Sequence, residues 1–207
     1  KITVIHNGVE KNRMRRKPIK KNKRREVVFL GRLTEQKGPY NFLKIAKKVL
    51  EKNPKARFTM AGSGEELGGL MEEGVKKVLK GNVRFTGFLD KNQVEKLLDV
   101  ADVYCMPSIS EPFGLSALEA VQQGVPVVIS NQSGVSEVLS GAVSKDYWEI
   151  QKMANGINEL LLDDVVYESK LELLSDDIAK LSWSTAVDKL QVVFDTVVQG
   201  KNFKKKL

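Results

Sequence analysis

Two pairs of side chains have the types and spacing for chemistry. The first pair, Arg32 and Lys37, flanks the loop GRLTEQKG directly after an apolar run, and Gly38 and Pro39 then admit a helix. Two cations on one short loop can neutralise a diphosphate without a metal. Arginine brings a planar fork for two oxygens, and lysine acts as a point charge. On spacing alone, two surface charges in a lysine-rich chain remain an equal alternative.

The second pair, Glu111 and Glu119, lies in SEPFGLSALEAVQQG, immediately after the apolar run ADVYCMP. Pro112 suits a helix entry, where its missing N–H costs nothing. The amides of Phe113, Gly114 and Leu115 are then orphan donors of a first turn, a ready anion site, and Gly114 lets a ligand approach without a Cβ in the way. Glu111 beside that site can accept bonds from sugar hydroxyls. Glu119, about five residues into the helix, lies roughly 8 Å along its axis, a phosphate-to-ribose distance. The plainer alternatives are an N-cap for Glu111 and an exposed helix residue for Glu119, although Leu115, Leu118 and Val121 crowd the latter. Glycosidase carboxylates face each other across about 5–9.5 Å. Eight residues of helix span about 12 Å, so that chemistry is a poor fit.

Other signals are weaker. Gly62-Ser63-Gly64 opens a helix after a strand, but Leu67 stands where a dinucleotide fingerprint needs its third glycine. A tight turn and a close backbone approach to a ligand both remain open. There is no Walker sequence, and no Ser-His-Asp set or metal-ligand cluster can be assembled. The sole histidine, His6, reads as a packing residue of a hinge region.

The elements that must position these residues alternate regularly. Strand candidates are Glu26–Gly31, Ala56–Gly62, Asn82–Gly87, Ala101–Pro107 and Val125–Ser130. Between them run amphipathic segments at Tyr40–Lys52, Glu65–Lys80, Asn92–Val100 and Gly114–Gln123. Apolar strands each followed by a helix predict an α/β, doubly wound, Rossmann-like parallel sheet with flanking helices, buried on both faces. After Ser140 the pattern is mainly helical, through Glu149–Leu162, Tyr167–Leu174 and Trp183–Val198. In such sheets ligands bind outside the carboxyl ends of the strands. The loops carrying both pairs are expected to converge on one crevice there.

Bulk properties narrow the class. At 207 residues the chain fits one domain with a core of its own. No run of about 18 apolar residues exists to span a membrane as a helix. A lone cysteine, Cys105, excludes a disulfide framework, and with no signal peptide in view a reducing, cytoplasmic setting is expected. The chain opens on Lys and ITVI, in mid-pattern, and reads as part of a longer protein.

The net charge of +8 is concentrated. Residues 11–25 form a basic loop with ten cations and no acid, and residues 201–207 form a basic tail with four more. Setting those fourteen aside leaves twenty basic against twenty-six acidic residues, a mildly acidic body. The two runs read either as solvated segments or as attraction to an anionic membrane surface. Nucleic acid is not expected, because aromatic residues for stacking bases are missing apart from Phe203.

The combination of EPFGLSALEA, its two glutamates seven residues apart, with GRLTEQKG upstream resembles the C-terminal domain of GT-B glycosyltransferases of the family 4 type. The resemblance runs from IHNGVE to about Glu137, and more loosely to Trp183 in LSWSTAV. It implies residues 1–207 are a single nucleotide-sugar-binding domain, with an N-terminal acceptor domain absent from this chain. The implied activity is a retaining glycosyltransferase that moves a sugar from a nucleotide-diphosphate donor to a glycan or lipid-linked acceptor. Neither cofactor nor essential metal is implied.

The resemblance also implies roles. Arg32 and Lys37 hold the diphosphate, and Glu111 with the amides of Phe113 to Leu115 holds the donor sugar and distal phosphate. Glu119 holds the ribose, Gly87-Phe88-Leu89 meets the nucleobase, and Gly62 lies in the crevice wall. One departure is Gln132-Ser133-Gly134, which stands where a Gly-Gly pair is usual. Two rivals are an epimerase-like relative without transfer and a non-catalytic module that binds an anionic surface. Isolated from its other domain, this half is expected to be inactive in transfer and, if the basic runs act, peripheral on the inner face of the membrane.

Overall fold

The computed structural model describes residues 2–10, 14–15, 25–74, 79 and 81–204. Six strands form one sheet in the order β3-β2-β1-β4-β5-β6, and every pairing is parallel. The strands are β1 Glu26–Leu30, β2 Arg57–Ala61, β3 Val83–Gly87, β4 Val103–Met106, β5 Val127–Ser130 and β6 Val143–Lys145. The helices are α1 Pro39–Lys52, α2 Leu67–Gly74, α3 Lys91–Val100, α4 Leu115–Gln122, α5 Ile150–Leu162, α6 Asp164–Ala179 and α7 Trp183–Lys204. This is the doubly wound α/β class expected from the alternation of apolar runs and amphipathic segments.

Successive side chains of a strand point to opposite faces, and the core divides accordingly. Val27, Phe29, Val103 and Cys105 join α1 and α5 residues in one cluster, whereas Val28, Tyr104 and Met106 join α3, α4 and α6 residues in the other. Phe42 of α1 packs between Phe29 and Phe58, with ring centroids 5.6 and 5.8 Å apart. Truncating such a buried aromatic costs about 3–5 kcal/mol. The two-sided burial explains why β1, β4 and β5 read as unbroken apolar runs.

Several expectations need correction. β6 was not foreseen, because its three half-buried residues carry a serine and a lysine and no apolar run. β3 is an edge strand with alternating exposure rather than burial on both faces. The second helix starts at Leu67, not Glu65, and is described to Gly74; residues 75–78 and 80 of the expected segment lie outside the described residues. α6 starts three residues earlier than read, because the Asp163 carboxylate accepts from the amides of Val165 and Val166 at 2.8 and 3.1 Å. It also ends five residues later.

Both basic runs fall partly out of view. In the loop, residues 11–13 and 16–24 lie outside the described residues, as do residues 205–207 of the tail. Residues 201–204 belong to α7, so the tail begins as helix. Among the described residues no helix is long and apolar enough to cross a membrane. At the other end of the chain, Val9 N donates to Leu181 O at 3.1 Å, tying the amino-terminal segment to the start of α7.

Candidate functional site

The chain builds β1, β2 and β3 outward in one direction, then returns to place β4 on the other side of β1. The loops after β1 and β4 therefore diverge at their carboxyl ends and leave a crevice at the switch point. A cleft of about 330 Å³ opens there, and Arg32, Lys37, Ser108, Glu111, Ser116 and Glu119 line it. The four side chains singled out from the sequence thus share one site.

Backbone contacts between loops hold that convergence. Gly38, with φ of 68°, is backed so closely onto the loop after β4 that a Cβ would lie 2.1 Å from the Pro107 carbonyl oxygen. Ile109 N donates to Gln36 O at 2.9 Å, joining the same two loops next to Lys37. On the far side, Glu111 N donates to Gln132 O at 3.1 Å and Gly134 N donates to Glu111 O at 3.0 Å. Three loops are laced together, and Glu111 sits in the lacing.

Within the cleft, Lys37 Nζ donates to Glu111 Oε2. The two side chains retain 22% and 10% of their exposure, so the pair is shielded but not sealed. A shielded cation and carboxylate hold each other until a ligand replaces one partner, because leaving either charge alone is costly. Arg32 is exposed at the rim with its charge open to solvent.

Glu119 stands on α4 between this cleft and a larger groove of about 910 Å³ lined by Lys91, Leu115, Leu118 and Trp183. Its side chain reaches solvent, yet burial of the carboxyl pushes its pKa above the ordinary carboxylate value, and the nearby Lys91 ammonium opposes that rise. Beneath the cleft, Tyr104 OH lies 2.7 Å from Ser116 Oγ and donates to Leu30 O at 3.3 Å. Burial pushes this phenol above its usual value, so it serves as a neutral tie between β1, β4 and α4.

The remaining residues fall beside the cleft rather than in its lining. α4 begins at Leu115, with Gly114 at φ 108° as its N-cap, so Pro112 is not the helix entry. The residue after a proline-phenylalanine pair starts the turn here because Phe113 is committed elsewhere. Its amide faces Glu111 Oε1 at 3.4 Å and its carbonyl accepts from Val135 N at 2.7 Å. Leu115 is exposed in the neighbouring groove.

Gly62 also proves to be a packing position. With φ of 135°, its Cβ would lie 1.8 Å from the Gly31 carbonyl oxygen, so close packing against a residue of the cleft lining requires glycine here. Its N–H donates to Gly87 O at 2.8 Å, which engages that carbonyl within the fold. Phe88 next to it is 79% exposed, and Leu89 packs against the core. His6 stacks on Phe113 at 5.8 Å and lies 2.9 Å from Glu137, the packing part expected of it.

Sequence reasoning missed Ser108, Ser116 and Lys91. Ser108 follows β4 in an unremarkable Pro-Ser-Ile, and only the meeting of three loops brings it into the cleft. Ser130 Oγ donates to its carbonyl at 2.6 Å, which pins the backbone. Lys91 starts α3 and lines the same groove as Glu119, where its charge acts on that carboxyl, a proximity without any sequence signal. Among the described residues no group of three or more His, Cys, Asp or Glu side chains is disposed to hold a metal ion.

Comparison with known proteins identifies the family and the fold. Residues 10–175 match the family model described as glycosyl transferases group 1. The chain is 32% identical over 200 residues to an uncharacterized glycosyltransferase of Methanocaldococcus jannaschii, covering 88% of this chain and 51% of that protein. It is 29% identical over 208 residues to a glycogen synthase of Mycobacterium tuberculosis, covering 97% and 50%. The chain thus spans about half the length of these relatives. The fold is similar to that of S. aureus TarM, solved as a point mutant in complex with fondaparinux, alpha-GlcNAc-glycerol and UDP. The TM-score is 0.74 at 21% identity, over 93% of this chain and 38% of that one.

Proposed function

Because the chain belongs to the glycosyl transferases group 1 family, we propose that it is the donor-binding half of a retaining glycosyltransferase that works without an essential metal. The observation that carries this is the gathering of Arg32, Lys37, Glu111 and Glu119 around one cleft at the switch point. The donor is a nucleoside-diphosphate sugar. The UDP held by S. aureus TarM supports that class, as does a cleft lined by two cations and, on α4, a carboxylate for ribose.

In this scheme a diphosphate enters beside Lys37 and replaces Glu111 as its anionic partner. When the bond between the anomeric carbon and the distal phosphate oxygen breaks, negative charge grows on that phosphate. Lys37 and Arg32 stabilise it from positions already set by the fold. Glu111 is left to the sugar, where a carboxylate favours cationic character at the anomeric carbon. Glu119 accepts from the ribose hydroxyls, and residues 87–89 flank the base. The acceptor is a glycan or a lipid-linked sugar, aligned by an N-terminal domain in the longer protein that works on the cytoplasmic side of the membrane.

A thermal-shift screen against UDP-, GDP- and ADP-sugars tests the donor class. A ligand at about 100 times its Kd stabilises by about 2.7 kcal/mol, a shift that is easily read. One nucleotide series is expected to raise Tm, and the rise is expected to vanish in the R32A/K37A double variant. No shift with any nucleotide sugar at millimolar concentration would refute the proposal.

A further inference from the structure

Ser108 combines two properties that are rarely found together. It lines the cleft with Lys37 and Glu111, and its side chain is fully buried. Yet its hydroxyl oxygen has no hydrogen-bond partner among the described residues. The neighbouring serines differ: Ser130 Oγ bonds the Ser108 carbonyl at 2.6 Å and lies 2.9 Å from Ser133 Oγ. Ser108 cannot easily move to find a partner, because Ser130 fixes its carbonyl and Ile109 N next to it is bonded to Gln36 O.

A buried hydroxyl without a partner lowers stability, and an alanine of nearly the same shape would remove that cost. Such a group in a cleft is understandable if a ligand supplies the missing partner. The surroundings indicate which partner. Lys37 and Arg32 line the same cleft and attract an anion, whose oxygens are acceptors only. A hydroxyl beside them serves as a neutral donor, adding a directed bond where a third cation would add only charge.

We propose that Ser108 is a donor-contacting residue whose hydroxyl donates a hydrogen bond to an oxygen of the distal phosphate. It thereby helps the cleft distinguish nucleoside diphosphates from monophosphates. This rests on the nucleotide-sugar function proposed above.

The test uses S108A with two readouts, Tm without ligand and calorimetric titration with UDP, GDP, ADP and the corresponding monophosphates. The unaltered chain is titrated first. If it binds none of these nucleotides, the nucleotide-sugar function falls, and the assignment of Ser108 with it. If it does bind a diphosphate, S108A is expected to weaken that binding about tenfold, the effect of losing one bond to a charged group. Monophosphate affinity is expected to stay the same, and Tm without ligand to stay the same or rise. Equal diphosphate affinity in the two proteins would overturn the assignment alone. A fall in Tm would also overturn it, because the hydroxyl would then be holding the fold. If S108A weakened UDP-glucose but not UDP, the hydroxyl would serve the sugar, and the phosphate contact would be wrong.

Discussion

Lys37 and Glu119 line one cleft but are expected to fail differently when removed. Charge develops on the departing diphosphate and not on the ribose, so only the first interaction strengthens in the transition state. In the full-length protein K37A is expected to lower kcat by about 10²-fold, the scale of other single electrostatic donors. E119A is expected to cost about 1.5–3 kcal/mol in donor binding, read in KM or Kd with kcat largely kept. Steady-state kinetics with nucleotide titration separate the two, and the reverse pattern would swap the assigned roles. Glu119 also sets a pH dependence. Its folded pKa lies above the ordinary value, so the folded state takes up the proton first. Stability therefore falls as pH rises from the ordinary carboxylate range through the raised pKa. Donor affinity rises across the same window, because the ribose hydroxyls need an ionised acceptor. Glu119→Gln is expected to flatten both profiles.

At the scale of elements, the loops matter more than the helices they introduce. Gly38 ends the three-residue turn Glu35–Lys37 and starts α1, and its backbone lies against Pro107 at the end of β4. G38A puts a Cβ into that contact and strains a left-handed φ. A loss of about 1–3 kcal/mol is expected in urea unfolding, as for other overpacked positions. Nucleotide affinity is expected to fall as well, because the displaced loop carries Lys37. Unchanged affinity in a destabilised G38A would show that the two loops are not coupled through this contact. Of these elements, five of the six strands were legible as strand-length runs, unbroken and apolar in β1, β4 and β5, and α1 from its helical spacing and its Gly-Pro start. The start of α4 was misread because the proline signal is local, whereas Phe113 is held by Val135 from a different loop.

At the scale of the whole molecule, apolar side chains are also exposed on the last helix. The described part of α7 exposes Trp183, Val187, Leu190, Phe194 and Val197 along the helix, on a chain that spans half of its relatives. Residues 11–25 carry ten cations in the sequence. If they dock on an acidic membrane face, each contributes roughly 1 kcal/mol, weakened by salt. Co-sedimentation with phosphatidylserine vesicles at low salt is expected to exceed that with neutral vesicles, and to be lost when the run is neutralised. Equal binding to both would remove the membrane from the scheme. Transfer is expected to need the longer protein, because aligning the acceptor accounts for much of such a rate. A comparable rate from residues 1–207 alone would contradict that.

The sequence by itself determined the layered α/β class, the order of the main elements and the identity of the four charged residues. Those properties are written locally. Burial on both faces makes a strand apolar throughout, and a functional loop must follow a strand end. The doubly wound class implied that the loops carrying both pairs converge, but not which side chains touch there, because strand order and contacts are decided by packing between segments far apart in the chain. Only the tertiary structure placed β4 beside β1 and so brought Lys37 within reach of Glu111, 74 positions away. The same packing turned Gly62 into a contact with the Gly31 carbonyl, brought Lys91 and Glu119 to one groove, and left the Ser108 hydroxyl buried without a partner among the described residues. Burial and electrostatic partnership are properties of neighbours in space, and a serine or glycine carries no mark of them in its own letter.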